Sequence, residues 1–446
     1  MARTKHLRQE ENRLADLMNI GVLTTQFPMD QIHATLEQTG RASKRVRDLP
    51  AHVLVYYIIA LGLFRPLGTQ EVLRVLQEGL KEITGARKGS RRKPVKTAGA
   101  PAISQARSRL GVEPLKQLYE QVVQPVATQK TEGARYGKWR VVAMDGFTLE
   151  VPDTEANRTA FARPESPSGG ESAYPRIRGV GLVEAGTHVL FGAALDSYAV
   201  GEITLARAVV PHLRKGMLCL ADRYFPGYPL WKQATETGAE LVWRVREKIR
   251  FPVEQRLPDG SWLSHFRPKR EKGKPPGEPI PVRVIEYRVR NAKETIRIIT
   301  SILDWRVAPA DELAALYQER WEFETALDEF KTHLRGARTV LRSQTPELVK
   351  QEVYGILLAH FALRGLMHQA ALRGGRDPDR VSFTHTLNVV RRTLPRFAAL
   401  PPSGVEAASS SRARRDPGGR RRQAPPSAGE AGREAQAEPL PGPATN

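Results

Sequence analysis

The sequence predicts an α/β fold preceded by an all-α amino-terminal domain. Three observations carry this. Residues 9–82 show apolar spacing of helical period only. From Trp139 onward, short apolar runs bounded by turn residues alternate with helical stretches, the pattern of strands and crossover helices. Two of those runs, Arg140–Asp145 and Met217–Asp222, end in an aspartate. With 446 residues and a hydrophobic fraction of 40%, the chain is long enough and apolar enough for two or three domains with real cores.

The elements follow in order. Residues 1–84 form a helical domain, with helices expected at Glu10–Ile20, Met29–Glu37, Leu49–Leu63 and Thr69 to about Ile83. Residues 85–135 hold a basic, Gly- and Pro-bearing linker and then one helix, about Ile103–Thr128. Residues 136–246 are the first part of the α/β core. Here the pattern predicts a strand ending at Asp145, a turn at Gly146 and a paired strand Thr148–Val151. A strand region from Gly179 to Tyr198 follows, then a helix Glu202–Leu213, a strand Met217–Asp222, a helix Pro229–Thr237 and a strand Glu240–Val245. Residues 247–304 read as a β-rich insertion with strands near Pro281–Val289 and Thr295–Ile302 and a basic loop, Arg267–Lys274. Residues 305–400 return to the core with a helix of about Pro309–Leu334 and a long helix Thr345–Ala371. Residues 401–446 are rich in Pro, Gly, Ser, Ala and Arg without periodicity, which predicts a disordered tail.

Charge narrows the function classes. There are 69 Lys and Arg against 48 Asp and Glu, a net of +21. Such an excess favours a polyanion as partner, nucleic acid first among them. The tail, with seven Arg against five acids, contributes only +2 of it, so the excess belongs to the folded body. A single cysteine, Cys219, lies in an apolar run, which excludes an intrachain disulfide and a Cys-based zinc cluster. It reads as a core residue in a reducing, cytoplasmic setting. No signal peptide is visible, and the longest apolar run, His52–Phe64, is too short to span a bilayer, so no membrane role is expected.

The densest chemistry lies in Tyr317–Lys331, YQERWEFETALDEFK. On one α-helix at about 100° per residue, Tyr317, Arg320, Glu324 and Lys331 fall within a sector of roughly 60°. Beside it runs an apolar stripe, Leu316, Phe323, Leu327, Phe330 and Leu334, while Glu319, Glu322 and Glu329 point away. A carboxylate that holds a metal, ringed by groups that hold phosphate, would have this form. So would a charged, solvated helix face. Taken singly, Asp145 is also a common strand-end turn residue and Asp222 a partner for Arg223 in a local ion pair.

The spacing Tyr-x2-Arg-x3-Glu-x6-Lys resembles the signature around the last acid in bacterial insertion-sequence transposases of the insertion sequence 4 group. Asp145-Gly146 after a strand, followed by Val151-Pro152-Asp153-Thr154 and Asn157, is similar to the region of their first aspartate. Ala221-Asp222-Arg223-x-Phe225 with Gly227 is similar to the second. The segment Ala102–Gly111 resembles the stretch that precedes their catalytic core. Three motifs in the family's order, within a match over roughly residues 15–395, are far more specific than any one of them. The resemblance implies a ribonuclease-H-like core in which Asp145, Asp222 and Glu324 hold divalent metal, Mg²⁺ with Mn²⁺ as substitute. It implies DNA-phosphate contacts from Tyr317, Arg320 and Lys331, with Arg223 a weaker candidate. It further implies a cut-and-paste transposase of the bacterial cytoplasm and nucleoid. Such an enzyme binds terminal inverted repeats and target DNA and pairs two ends as a homodimer. A DNA-binding relative without catalysis and a metal-dependent nuclease without strand transfer are the alternatives. The Arg- and Pro-rich tail, unlike the family's usual ending, is what gives the first of these its weight.

Overall fold

The computed structural model describes residues 21–44, 49–83, 98–165, 170, 172–268, 277–288, 295–318, 320–334, 340–397 and 438–439. The expected helix Glu10–Ile20, most of the basic linker, the centre of the basic loop and nearly all of the tail lie outside these residues. The described chain falls into two compact units interleaved in sequence. The first draws on spans 1–126, 149–177 and 327–420, the second on 127–148, 178–326 and 421–446.

The first unit is helical. Its amino-terminal helices are α1 (Gly21–Gln26), α2 (Met29–Gln38), α3 (Ala51–Leu63) and α4 (Thr69–Ile83). Helix α3 is apolar all round, and every residue after Ala51 is buried, as expected of a core helix rather than a surface one. The single helix expected over Ile103–Thr128 is instead two, α5 (Ala100–Leu110) and α6 (Glu113–Val122). Gly111 at φ 74° supplies the left-handed residue that ends the first, and Pro114 opens the second. A short helix α7 (Glu155–Ala160) is capped by the Thr154 side chain.

The centre of this unit is the long carboxy-terminal helix, which we number α12 (Pro346–Gly374), followed by α13 (Phe383–Phe397). Helices α3 and α12 cross at two glycines. A Cβ on Gly355 would stand 2.7 Å from the Ile58 Cγ2 and 2.8 Å from its carbonyl oxygen, so the backbones meet directly. Several polar groups in this core are paired. Arg65 and Glu352 form a buried ion pair, and Glu352 also accepts the Ser343 N–H at 3.0 Å. Arg107 donates to the Gln351 side chain at 2.8 Å.

The second unit carries the sheet. Its strands in chain order are β1 (Arg135–Tyr136), β2 (Trp139–Glu150), β3 (Arg176–Glu184), β4 (Leu190–Ser197), β5 (Met217–Ala221) and β6 (Glu240–Arg244). They continue with β7 (Gln255–Arg256), β8 (Trp262–Phe266), β9 (Ile280–Arg288) and β10 (Thr295–Thr300). A two-residue β11 (Glu438–Pro439) pairs with β9. Among the described residues these make one mixed sheet in the order β4-β3-β2-β5-β6-β10-β9-β8-β7. The strands of residues 247–304 join this sheet through β10, which pairs antiparallel with β6.

Helix α8 (Glu202–Val209) precedes β5, and α9 (Tyr228–Glu236) links β5 to its parallel neighbour β6. Trp243 and Trp262 are core residues, as is Cys219. Burial pushes the Cys219 thiol up to about 12.

No turn divides β2 at Gly146; the strand runs unbroken from Trp139 to Glu150, and Gly146 has an ordinary negative φ. The helix expected over Pro309–Leu334 is also interrupted. Helix α10 (Ala310–Gln318) stops, Arg320 lies in a turn, and α11 (Trp321–Asp328) starts again before a π-helical segment, Glu329–Leu334. A break and a wider π turn both shift the phase of later positions, so the spacing of an unbroken α-helix does not carry through this segment. Glu329, expected on the open face, is buried. Arg364 donates to it at 2.8 Å, and His360 lies 3.5 Å away.

Candidate active site

The parallel register places the first two acids. Strands β2 and β5 pair from Arg140 opposite Met217 to Met144 opposite Ala221. The next residues on the two strands are Asp145 and Asp222. Neighbouring strands lie about 4.8 Å apart, so these two carboxylates emerge side by side where the ladder ends. Each is tethered by the amide that follows it. The Gly146 N–H donates to Asp145 Oδ1 at 2.7 Å, and the Arg223 N–H donates to Asp222 Oδ1 at 2.5 Å.

Helices α10 and α11 bring the other groups. Tyr317 is buried, and its hydroxyl donates to the Ala221 carbonyl at 3.4 Å, one residue before Asp222. Expected at a DNA phosphate, it has an internal partner instead. Burial, with the charge on Asp222 adding to it, holds this phenol well above the ordinary range. Arg320 reaches between two acids. Its guanidinium donates to Asp145 at 3.1 Å and to Glu324 at 3.2 Å. The turn that interrupts the helix is where this side chain starts. Glu324 is open to solvent, its side chain 45% exposed, on the first turns of α11. The Lys331 side chain lies outside the described residues.

Electrostatics makes the cost of this arrangement visible. Burial pushes the Asp145 carboxyl up to about 6, and the charges of Asp222 and Glu202 add to the rise. The Gly146 amide and Arg320 hold it down in part. Arg320 feels the opposite balance. Burial pulls its proton affinity down, yet Tyr317, Asp145, Asp222 and Glu324 together raise it above the usual guanidinium value.

A residue not anticipated from sequence, Glu202, thus belongs to the neighbourhood. It starts α8 and packs over Gly146. Nothing in the pattern Gly201-Glu202-Ile203-Thr204 marks it, because its proximity depends on how α8 returns to β2. A second unforeseen group follows Asp222. Tyr224 is 56% exposed, and the Arg223 and Arg246 guanidiniums lie 5.7 and 4.8 Å from its ring centroid. Trp321, 59% exposed, borders Arg320.

The donor set suits a hard divalent cation: carboxylate oxygens only, from two strand ends and a helix. Among the described residues, no three His, Cys, Asp or Glu side chains converge closely enough to cage an ion. A guanidinium bridges Asp145 and Glu324 instead, so the gap between these acids already accepts a positive charge. The chemistry of the donor set suits such a cation, and in the free chain Arg320 occupies the gap between two of the acids.

Paired strand-end aspartates with a helix-borne glutamate are the constellation of a DDE-type phosphoryl-transfer domain. Comparison with known proteins narrows the class. The family described as "Transposase DDE domain" matches residues 137–362, just over half the chain, and "Insertion element 4 transposase N-terminal" matches residues 17–120. The transposase InsG for insertion sequence element IS4 of Escherichia coli (strain K12) is 26% identical over 380 residues, covering 84% of this chain and 83% of that protein. InsZ of the same strain, provisionally named a transposase, is 23% identical over 217 residues, 49% of this chain and 68% of that protein. The chain belongs to the DDE transposases of the insertion element 4 family. Among the described residues no helix is long and apolar enough to cross a membrane.

Proposed function

We propose that the chain is a cut-and-paste DNA transposase that cleaves at the terminal inverted repeats of its element and joins the freed end to a target. Asp145, Asp222 and Glu324 are its catalytic acids on a ribonuclease-H-like core. The observation that carries this is the β2–β5 register, which sets two carboxylates beside each other at the end of a parallel ladder. The order β3-β2-β5-β6, with helices α8 and α9 before and after β5, supports the core assignment.

In this reading Asp145 and Asp222 hold Mg²⁺, or Mn²⁺ in its place, and Glu324 completes the set. Bound there, the cation would lower the pKa of the attacking water and stabilise the leaving oxygen. The protein's own groups do the rest. Arg320 balances the acids in the free enzyme and turns to a DNA phosphate when a duplex enters. Arg223 and Lys331 neutralise neighbouring phosphates. Tyr317 acts from behind, fixing the strand end that carries Asp222. Residues 1–84 and the basic linker bind the inverted repeats, the net charge of +21 supplying the long-range attraction. Two chains pair two ends in a homodimeric complex in the bacterial cytoplasm.

Strand transfer separates this function from that of a simple nuclease. Purified protein, Mg²⁺, a pre-cut terminal repeat with a free 3′-hydroxyl and a supercoiled plasmid should give a joined product. Glu324→Gln should abolish joining and leave repeat binding intact. Cutting without any joined product would exclude the transposase reading and leave a nuclease.

A further inference from the structure

We propose that Arg223, Tyr224 and Arg246 form a platform for one unpaired nucleotide of the DNA strand beside Asp222, the Tyr224 ring stacking on its base and the two guanidiniums holding its phosphate. The inference rests on the reading above and extends it to residues outside the acidic set. Its first support is topology. Strands β2, β5 and β6 run parallel, so their carboxyl ends share one edge of the sheet. Asp145 and Asp222 lie on that edge, where open α/β sheets take their ligands. The β5–β6 ladder ends with Ala221 opposite Trp243, and Tyr224 and Arg246 follow three residues beyond these on their respective segments. Phe225 fastens the turn after β5. Its ring is buried, and its N–H donates to the Asp222 carbonyl at 3.1 Å. Tyr224, inside that turn, is left 56% exposed.

The second support is the chemistry gathered around this ring. Among the described residues, Tyr224 and Trp321 are the two most exposed large apolar side chains. The Arg246 guanidinium lies 4.8 Å from the Tyr224 centroid and that of Arg223 5.7 Å. Arg246 is fixed in place, since its Nε donates to the Arg223 carbonyl at 3.2 Å. A surface cation–π contact accounts for one guanidinium at an exposed ring. It does not account for a second, because the two cations repel each other, and an anion shared between them removes that cost. A phosphate alone would use the arginines and leave the ring idle. A single-stranded nucleotide uses both, its phosphate at the guanidiniums and its base on the ring. In a duplex each base face is covered by its neighbours, so only an unpaired base is free to stack there.

The test reads DNA binding alone, by fluorescence anisotropy of labelled terminal-repeat duplexes with the full-length chain in EDTA. One duplex is fully paired. In two others the terminal bases of one strand or the other are mismatched and so unpaired. The parent should bind one of the unpaired ends about tenfold more tightly than the paired end, within the range that one stacked base contributes. Tyr224→Leu keeps an apolar side chain and removes the flat ring. It should bind the paired duplex as the parent does, which also shows that it is folded, and lose the preference. Tyr224→Phe should keep it. Arg246→Gln should weaken binding to the unpaired end and lower the slope of log affinity against log salt by about 0.7, the value of one phosphate contact on a single strand. No preference in the parent, or a preference that survives in Tyr224→Leu, overturns this inference and leaves Tyr224 a surface cation–π contact. Loss in Tyr224→Phe as well would assign the effect to the hydroxyl and overturn stacking. If the parent binds the repeat in neither form, the proposed function fails too.

Discussion

Asp145 should make the protein less stable in order to make it active. Its carboxyl titrates near 6 in the fold, against an ordinary 3.8. Between those values the folded chain holds more protons than the unfolded one, so stability falls as pH rises through this window. Above pH 6 the full cost is present. A gap of about 2 pH units, at about 1.4 kcal/mol each, amounts to about 3 kcal/mol. Asp145→Asn removes the charge but replaces one acceptor oxygen with an amide that cannot take its hydrogen bond, returning about 1 kcal/mol. The variant should therefore be more stable than the parent by about 2 kcal/mol in urea unfolding at pH 7.5 with EDTA. The gain should shrink through the window and vanish below pH 4, where the parent is protonated in both states. The same variant should not cleave DNA. Equal or lower stability at pH 7.5, or a gain that persists undiminished at pH 4, would refute the electrostatic account of the site.

Other outcomes follow from the packing. Glu352→Gln strips the charge partner from buried Arg65 and should cost about 3–5 kcal/mol in urea unfolding, and a loss below 1 kcal/mol would contradict the buried-pair reading. Gly355→Ala forces a methyl against the Ile58 backbone and should cost about 1–3 kcal/mol, whereas a neutral result would mean that α3 and α12 do not cross at that point. Cys219 is fully buried with its thiol pushed up to about 12, so a thiol reagent should leave the native protein untouched and modify one group per chain in urea. Native reactivity would show that β5 opens.

The architecture was legible wherever a local rule sufficed. Helix α3 announced itself as apolar all round, and β5 as an apolar run bounded by Gly216 and an acid. Asp222 and Asp145 could be picked out because strand and motif agreed. What sequence could not show was the register that pairs them, since that is decided by β2 meeting β5 across more than seventy residues. The turn that Gly146 suggests does not form, for a reason of the same kind. Glycine after an apolar run signals a turn locally, but here the demand for a small residue comes from Glu202 on a distant helix. The expected helix over Pro309–Leu334 failed for a related reason. Periodicity assumes an unbroken α-helix, whereas the turn at Arg320 and the π segment anchored by the Glu329–Arg364 pair reset it. Tyr317 looked like a surface group because its spacing matched Arg320, yet the ring is held inside by the strand it supports.

The central claim is that these carboxylates cut DNA at the ends of a mobile element. It is tested most directly by purified protein with Mg²⁺ and a labelled duplex bearing the element's own terminal repeat, cleavage mapped to the nucleotide beside an Asp222→Ala control. The account predicts metal-dependent nicks at the repeat boundary, absent in the control although the control still binds the repeat. Tight binding by the parent with no cleavage, or cleavage that survives in Asp222→Ala, would contradict it.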